Sequence, residues 1–181
     1  MAKIITFSGL DGVGKTSYSN KIKKIIEKRN FSVKIVHIGH FKLFQKNNDK
    51  PQIKTSLLKF PLIFLKDIYQ ILLNQIRYRK YDYLIFDRFY LDTLVKLEFR
   101  YKKKYYSLKK ICSLLIKNTY SIYLECNLDT SYQRDNDHDL NYHIKKKELY
   151  NQYKSEFNLI INTEKEISNN ETLLNKILDS F

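Results

Sequence analysis

The stretch GLDGVGKTS, residues 9–17, decides the fold, and it directly follows an apolar run at residues 4–7. It holds three of the chain's four glycines, Gly9, Gly12 and Gly14, in the pattern G-x-x-x-x-G-K-T. Glycines let a backbone bend until several N–H groups face one point, which a phosphate group requires. The pattern needs a buried strand before it and an amphipathic helix after it, and both are recognisable. The stretch therefore predicts a nucleoside triphosphate site.

Each residue of this glycine-rich loop, residues 9–16, has a predicted role. Lys15 supplies a mobile positive charge for the outer phosphates, and Thr16 offers its hydroxyl to a magnesium ion. The helix that begins near Gly14 brings the positive end of its dipole to the same place. The residues predicted to contact the triphosphate are Asp11, Gly12, Val13, Gly14, Lys15, Thr16 and Ser17. The alternative is a glycine-rich turn with a purely structural role.

A second group of candidates follows the apolar run at residues 83–86. Asp87 ends this predicted strand, so it should lie at the same edge of a parallel sheet as the glycine-rich loop. Its carboxylate can hold a magnesium-bound water, which makes Thr16 and Asp87 the predicted metal residues. Arg88 can grip an acceptor phosphate with its planar guanidinium. The alternatives are a helix-capping or turn residue for Asp87 and a surface ion pair for Arg88.

Arg134 is the only arginine after position 100, and it ends a predicted short helix at residues 129–134. The polar residues that follow suit a lid, placed around residues 134–145, that closes over the triphosphate. Arg134 then joins Lys15, Asp87 and Arg88 as the fourth predicted catalytic residue, with a solvent-exposed surface arginine as the alternative. The lysines at 145–147 are interpreted mainly as a solvent-exposed helix face, with assistance to the lid as the alternative. No chemistry is assigned to the four histidines, because their spacing fits no ligand pattern.

Apolar runs alternate with amphipathic helical patterns along the chain. The predicted strands are residues 3–8, 33–38, 83–86, 121–124 and 159–161. The predicted helices are residues 14–29, a long helix through 65–76, and residues 91–99, 108–117, 129–134, 142–157 and 171–178. This alternation predicts right-handed crossovers and a parallel α/β sheet covered on both faces. A chain of 181 residues without a linker or a repeat predicts a single domain, residues 1–181.

Composition limits the classes of function. The net charge of +14 suits polyanions, but most of the 33 basic residues are scattered lysines, whereas recognition of nucleic acid by fixed geometry favours arginine. We interpret the charge as solvated surface; nucleic-acid binding is the alternative, and a steep salt dependence would reveal it. Short apolar runs and the absence of a secretory pattern predict a cytoplasmic protein without a membrane partner. Cys112 and Cys126 are expected to be buried free thiols.

Four motifs together resemble the thymidylate kinase family in order and spacing. They are FSGLDGVGKTS at residues 7–17, FDRFYLD at 86–92, YLECNLDTSYQR at 123–134 and YNQY at 150–153. The resemblance implies a three-layer P-loop NTPase fold with a five-stranded parallel sheet. It implies an enzyme in which ATP, with Mg²⁺, gives its γ-phosphate to a nucleoside monophosphate, by default dTMP, and it implies a homodimer.

The same resemblance assigns residues to the two substrates. Lys15 and Thr16 become the triphosphate and magnesium residues, and Asp11 lies near the sugar of the acceptor. Asp87 and Arg88 become the acceptor-side pair, and Arg134 becomes a lid arginine.

The chain departs from the family on the acceptor side. HIGHFK, residues 37–42, stands where the family has an Arg-Glu-Pro element, and LVKLEFRY, residues 94–101, replaces an Ala-Tyr-Gln segment. Ile68 follows Phe64 and Asp67 where the family has a Phe-x-x-Asp-Arg pattern. Phe64 is kept as the candidate for stacking on the acceptor's base, with a place in the core as the alternative. The acceptor stays open: a related kinase acting on a nucleoside or another small metabolite, or a nucleotide-dependent nucleic-acid-binding protein, are the alternatives.

Overall fold

The computed structural model describes residues 2–38, 59–116, 119–135, 137–164, 175 and 177–179. Five strands form one all-parallel sheet in the order β2-β3-β1-β4-β5. The strands are Lys3–Gly9 (β1), Val33–His37 (β2), Tyr83–Asp87 (β3), Tyr120–Glu125 (β4) and Leu159–Asn162 (β5). The helices are Lys15–Lys28 (α1), Lys59–Arg77 (α2), Tyr90–Tyr101 (α3), Tyr106–Ile116 (α4), Leu128–Arg134 (α5) and Leu140–Gln152 (α6), and a 3-10 turn spans Lys154–Glu156.

Helices cover the sheet on both faces, which gives the three-layer α/β fold that the sequence predicts. The β1–α1–β2 crossover moves along the sheet in one direction, and the later crossovers move in the other. Right-handed crossovers of opposite direction place α1 on one face and α2 to α6 on the other. The contacts agree, since α1 packs on β1, β2 and β3, while α3 packs on β1 and on α2, α4 and α6.

The central strands explain why their sequence is apolar without alternation. Every residue of β3 is buried, and so is β1 from Ile4 to Gly9. A strand with a helix layer on each face has no solvent-facing side, so its apolar residues need not alternate with polar ones. Both predicted free thiols, Cys112 and Cys126, are confirmed as buried and unpaired.

The carboxyl edge of the sheet positions the candidate site. Phe7 of β1 is in register with Asp87 of β3, and Gly9 is in register with Leu124 of β4. The glycine-rich loop therefore leaves β1 between its two neighbours, where the direction of the crossovers reverses. In open α/β sheets this switch point is the usual place for a ligand.

One predicted helix boundary is wrong. The helix predicted at residues 142–157 ends at Gln152, and the Tyr153 N–H donates to the Tyr150 carbonyl oxygen at 2.9 Å, three residues back. The aromatic spacing continues through Phe157, but the chain must leave the helix so that the Asn158 N–H can donate to the Ser121 carbonyl oxygen at 2.9 Å and begin β5. Tertiary pairing therefore overrides the helical pattern.

Two predicted segments lie partly or wholly outside the described residues. The loop after β2, which carries His40 and Phe41, is outside them. Of the helix predicted at residues 171–178, the structure describes residues 175, 177 and 178, and these are helical. Within the described ranges, no helix combines the length and apolar character that a membrane crossing requires.

Candidate functional site

Helix α1 begins without a capping side chain. Its N-cap is Gly14, which has a φ of 95° and offers no side chain to the N–H groups of the first turn. A non-glycine residue would be strained in this left-handed conformation. The N–H groups at a helix start need acceptors, and here they flank the exposed residues Thr16 and Ser17. The arrangement leaves backbone donors that an anion can satisfy.

Gly12 is required where the glycine-rich loop passes the end of α5. A Cβ atom on Gly12, at a φ of 78°, would lie 2.4 Å from the Ser131 carbonyl oxygen and 3.2 Å from the Arg134 Cβ. The loop and α5 therefore touch through backbone, and Arg134 is placed beside the loop with its side chain exposed. Val13 faces the opposite way and is fully buried, so only its backbone is available to a ligand.

Lys15 lies folded against the loop that precedes it. Its ammonium donates to the carbonyl oxygens of Gly9 at 3.0 Å and Leu10 at 2.6 Å, and it lies 3.9 Å from an Asp11 carboxylate oxygen. Burial, reinforced by repulsion from Arg88, lowers the pKa of Lys15 to about 8, although Asp11 opposes the shift. The side chain is thus a cation whose charge is costly to maintain and which an anionic ligand would stabilise.

The two residues predicted to bind a metal, Thr16 and Asp87, are in contact. The Thr16 hydroxyl donates to Asp87 Oδ2 at 3.1 Å, and His37 Nδ1 lies 3.3 Å from the same oxygen. Asp87 Oδ1 is buried and has no hydrogen-bond partner among the described residues. A buried carboxylate oxygen without a partner is costly, and a hard cation or its bound water would satisfy it. A hydroxyl and a carboxylate beside the glycine-rich loop fit a magnesium ion.

Asp11 is the centre of a cluster that we call the Asp11 cluster, formed by Asp11, Arg88, Tyr142 and Lys146. Arg88 pairs with Asp11 Oδ1, while the Tyr142 hydroxyl donates to Oδ2 at 2.7 Å and the Lys146 ammonium at 3.2 Å. Burial raises the pKa of Asp11, but the combined attraction of Lys146, Arg88 and Lys15 outweighs it and holds that pKa well below its usual range. Asp11 is therefore a carboxylate at any ordinary pH.

Arg88 reaches Asp11 from a sharp turn of the backbone. It has a φ of 76°, which is uncommon for a residue with a side chain, and its N–H donates to the Phe7 carbonyl oxygen at 3.0 Å. Burial is the largest single influence and lowers the pKa of Arg88, but the combined attraction of Asp11, Asp92 and the neighbouring tyrosines outweighs it, so the net shift is upward. The strained turn holds a permanently charged guanidinium beside the glycine-rich loop.

The interpretation of residues 145–147 as a solvent-exposed face is wrong for Lys146, whose exposed fraction is 4%. Residues four apart on a helix share a face, so Tyr142, Lys146 and Tyr150 form one stripe of α6. This stripe turns towards the sheet edge, while Lys145 remains exposed. Two tyrosines flanking a lysine at this spacing were the signal that could have identified Lys146 and Tyr142 as site residues.

Asp92, which was given no role from the sequence alone, anchors the elements around the site. Its Oδ2 accepts hydrogen bonds from the Ser8 hydroxyl at 2.6 Å and the Phe89 N–H at 2.8 Å, and its Oδ1 accepts from the Tyr150 hydroxyl at 2.7 Å. One buried carboxylate thus ties β1, the start of α3 and α6 together. Its partners fix the directions in which Arg88 and Lys146 enter the site.

The predicted lid comprises the end of α5, a short connection and the start of α6. Asp135 Oδ2 lies 2.9 Å from His138 Nδ1 and 3.1 Å from His143 Nε2. Ligand atoms of Asp11, Asp135 and His138 lie within 4.8 Å of one another, but the cations already bound to Asp11 oppose another positive ion there. Thr16 and Asp87 are therefore the better candidates for a magnesium ion, and magnesium binding there stays a prediction. Closure of this segment, and contact of Arg134 with a phosphoryl group, stay predictions.

The acceptor-side candidates occupy α2 and α3. Phe64 has an exposed fraction of 2% and lies in the hydrophobic core, so the predicted stacking on a base would require its ring to be uncovered. Between α3 and α2, the Thr93 hydroxyl donates to Asp67 Oδ2 at 2.9 Å. Burial, with repulsion from Arg100, lowers the pKa of Lys96 to about 8, and Asp67 opposes the shift.

Comparisons with known proteins add no assignment to this geometry. No family model matches the chain, and no curated protein matches it. The function is therefore argued from the site.

Proposed function

We propose that the protein is an ATP-dependent, magnesium-requiring phosphotransferase of the thymidylate kinase type. It would transfer the γ-phosphoryl group of ATP to a nucleoside monophosphate, with dTMP as the default acceptor. The observation that carries the proposal is the meeting of three features at one edge of the sheet: the uncapped start of α1, the buried Lys15, and the Thr16–Asp87 pair. The geometry supports the nucleotide-binding half directly, and the acceptor follows from the resemblance.

ATP, the phosphate donor, would be bound by groups whose contacts within the protein are absent or weaker than those a phosphate offers. Backbone N–H groups at the start of α1 would bind the phosphate oxygens of ATP. Lys15 would exchange the Gly9 and Leu10 carbonyl oxygens for the outer phosphates, a stronger charge-assisted bond. Thr16 and Asp87 would hold magnesium, which when bound neutralises phosphate charge and fixes the geometry of the phosphate tail.

Transfer needs positioning and charge stabilisation more than covalent chemistry from the protein. Arg88 would hold the acceptor's phosphate in line with the γ-phosphate, because its guanidinium is fixed beside the glycine-rich loop by Asp11. Arg134, adjacent to Gly12, would neutralise the negative charge on the phosphoryl group during its transfer. The segment at residues 134–145 would exclude water and so prevent hydrolysis of ATP.

The partners follow from the same proposal. A small nucleotide is the substrate, nucleic acid is not a required partner, and the resemblance adds a homodimer. The cytoplasmic location stays the prediction made from the sequence. The basic surface is then a matter of solubility and steering of anionic substrates.

A coupled ADP-release assay tests the function. The wild-type protein with Mg·ATP should release ADP in proportion to added dTMP, and other nucleoside monophosphates, nucleosides and sugars should be compared in parallel. Lys15→Ala should lower the acceptor-dependent rate by about 100-fold or more, because it removes the cation nearest the transferred charge. Lys24→Ala is the matched control, since Lys24 is exposed on the same helix.

The outcomes separate the parts of the proposal. Turnover with another acceptor and none with dTMP would correct the substrate alone. ADP release that ignores every acceptor, or that Lys15→Ala leaves unchanged, would refute the phosphotransferase assignment.

A further inference from the structure

Asp11 has more cationic partners than one carboxylate needs. Arg88 contacts one of its oxygens, Lys146 contacts the other, and Lys15 lies 3.9 Å away. A buried carboxylate is already well compensated by one bidentate or doubly bonded cation, and burying each further cation costs solvation energy. The partners of Asp11 alone therefore do not explain why Lys146 is buried.

Positive charge is in excess around this point. Lys15, Arg88 and Lys146 repel one another, and the carboxylates that attract them are those of Asp11 and Asp92. Asp92 directs both of its oxygens to Ser8, Phe89 and Tyr150, so it makes no direct hydrogen bond to any of the three cations. A surplus of buried positive charge is stabilised most simply by an anionic ligand.

Hydrogen-bond donors are in excess as well. Within the described part of the chain, Lys146 makes one hydrogen bond, to Asp11, and otherwise lies 4.7 Å from the ring centre of Tyr142. The side chain of Arg88 likewise makes one, to Asp11. Ammonium and guanidinium groups can donate several each. The two side chains contact opposite oxygens of one carboxylate, and each retains N–H donors that Asp11 does not use.

We propose that Lys146 is an acceptor-binding residue, and that with Arg88 it forms a two-cation clamp for the phosphate of a phosphorylated acceptor. The proposal rests on the proposed function and specifies its acceptor as a nucleotide in preference to an unphosphorylated nucleoside. Asp11 acts as the spacer that keeps the two cations apart and aligned. A dianionic phosphate supplies both the charge and the acceptors that the pair lacks.

The clamp also lies at the right place for transfer. Asp11 and Lys15 belong to one loop, and Arg88 directly follows Asp87, so a phosphate held between Arg88 and Lys146 lies next to the donor's phosphate groups. Lys96 extends the positive field on the acceptor side, because it repels both cations of the clamp. A neutral nucleoside would bring no negative charge to offset this excess of cations.

Calorimetric titration tests the clamp without requiring turnover. The probes are dTMP, UMP, CMP, AMP and GMP, the corresponding nucleosides, and Mg·ATP. The proteins are the wild type, Lys146→Met, which keeps the apolar volume, and Lys145→Met, an exposed neighbour on α6 as the control. Lys146→Gln, which retains an N–H donor for Asp11, replaces Lys146→Met if circular dichroism shows that the latter does not fold.

The wild type should bind at least one nucleoside monophosphate more tightly than its nucleoside. Loss of the Lys146 charge should lower the affinity for that monophosphate by about 10- to 100-fold, as expected for the loss of a charged hydrogen bond. Binding of the nucleoside and of Mg·ATP should change by less than about twofold, and Lys145→Met should match the wild type. A purely structural lysine would not discriminate between the monophosphate and its nucleoside.

Three results would overturn the clamp: unchanged monophosphate binding in the Lys146 variants, a parallel loss of Mg·ATP binding, or no monophosphate binding by the wild type. Failure of the proposed function is distinct from these. It would appear as phosphate-dependent binding that needs Lys146, without any acceptor-dependent release of ADP.

Discussion

Charged side chains held away from water set the chemistry of single residues in this site. Asp11, three residues before the N-cap of α1, is surrounded by three cations: Lys15, Arg88 and Lys146. Each cation loses hydration, and one carboxylate cannot fully compensate three of them. Their protonation and their partners should therefore respond strongly to an anionic ligand.

Binding of Mg·ATP should depend on pH. The affinity for Mg·ATP should be nearly constant below about pH 8 and fall above it, because the pKa of Lys15 is lowered to about 8 by burial. The free protein loses the Lys15 proton as pH rises through that value, whereas bound phosphate retains it, so each further pH unit should weaken binding by up to about tenfold. Calorimetry across pH 7 to 9 measures the effect.

Lys15→Arg is the control for this titration. Its guanidinium stays charged throughout, so its affinity should not fall in the same range. A wild-type dissociation constant that is flat up to pH 9 would contradict a role for the Lys15 charge.

At the scale of elements, α6 connects the predicted lid to the carboxyl edge of the sheet. One face of the helix carries Tyr142 and Lys146 to Asp11 and Tyr150 to Asp92. Because Asp92 also bonds to β1 and to the start of α3, the position of α6 is coupled to both elements that carry site residues. The helix is a structural support for the site as well as a source of ligands.

Tyr150→Phe should therefore destabilise the fold. The change removes only the hydroxyl that donates to Asp92 Oδ1 at 2.7 Å and leaves a buried carboxylate oxygen without that donor. The free energy of unfolding should fall by about 1–3 kcal/mol, measured by urea denaturation. Tyr69→Phe on α2 is the matched control, because Tyr69 is largely exposed, and it should stay within about 0.5 kcal/mol of the wild type. Equal effects of the two changes would argue against the Asp92 network.

For the whole molecule, the sheet order decides where the candidate site lies. Since β1 lies between β3 and β4, the loop after β1 opens into the gap between crossovers that run in opposite directions. Elements far apart in the chain, α1, β3, α5 and α6, all end or begin there. A ligand at this edge would contact both helix layers and so stabilise the molecule as a unit.

Mg·ATP should consequently raise the midpoint of thermal unfolding. A ligand present at about 100 times its dissociation constant adds roughly 2.7 kcal/mol, which corresponds to about 5–10 °C for a chain of this size. Differential scanning calorimetry with and without EDTA measures the contribution of the metal, which Thr16 and Asp87 are proposed to hold. Lys15→Ala should abolish most of the rise. An equal rise with EDTA, or in the variant, would contradict a magnesium-dependent site at the glycine-rich loop.

Local patterns account for the part of the site that the sequence predicted. Gly12 and Gly14 have backbone conformations that few other residues adopt. The spacing of the glycines in the sequence therefore predicts the conformation of the loop. A strand buried on both faces is continuously apolar, and the polar residue that ends it, Asp87, must lie at the sheet edge. For these reasons the sequence could predict the α/β fold, the glycine-rich loop and the proximity of Thr16 to Asp87.

Only the tertiary structure decided the surroundings of Asp11. Lys146 contacts a carboxylate 135 residues away. The tyrosines four residues on either side of it indicate a shared helix face, but the sequence does not indicate that this face covers Asp11. Burial depends on which face of α6 turns towards the sheet, and the packing of α6 on α3 and the Tyr150–Asp92 hydrogen bond set that orientation. The sequence by itself determined the fold class and the backbone of the glycine-rich loop, because those requirements are local. Which charges surround Asp11 was settled by long-range packing, because the solvation of a lysine depends on every element that covers it.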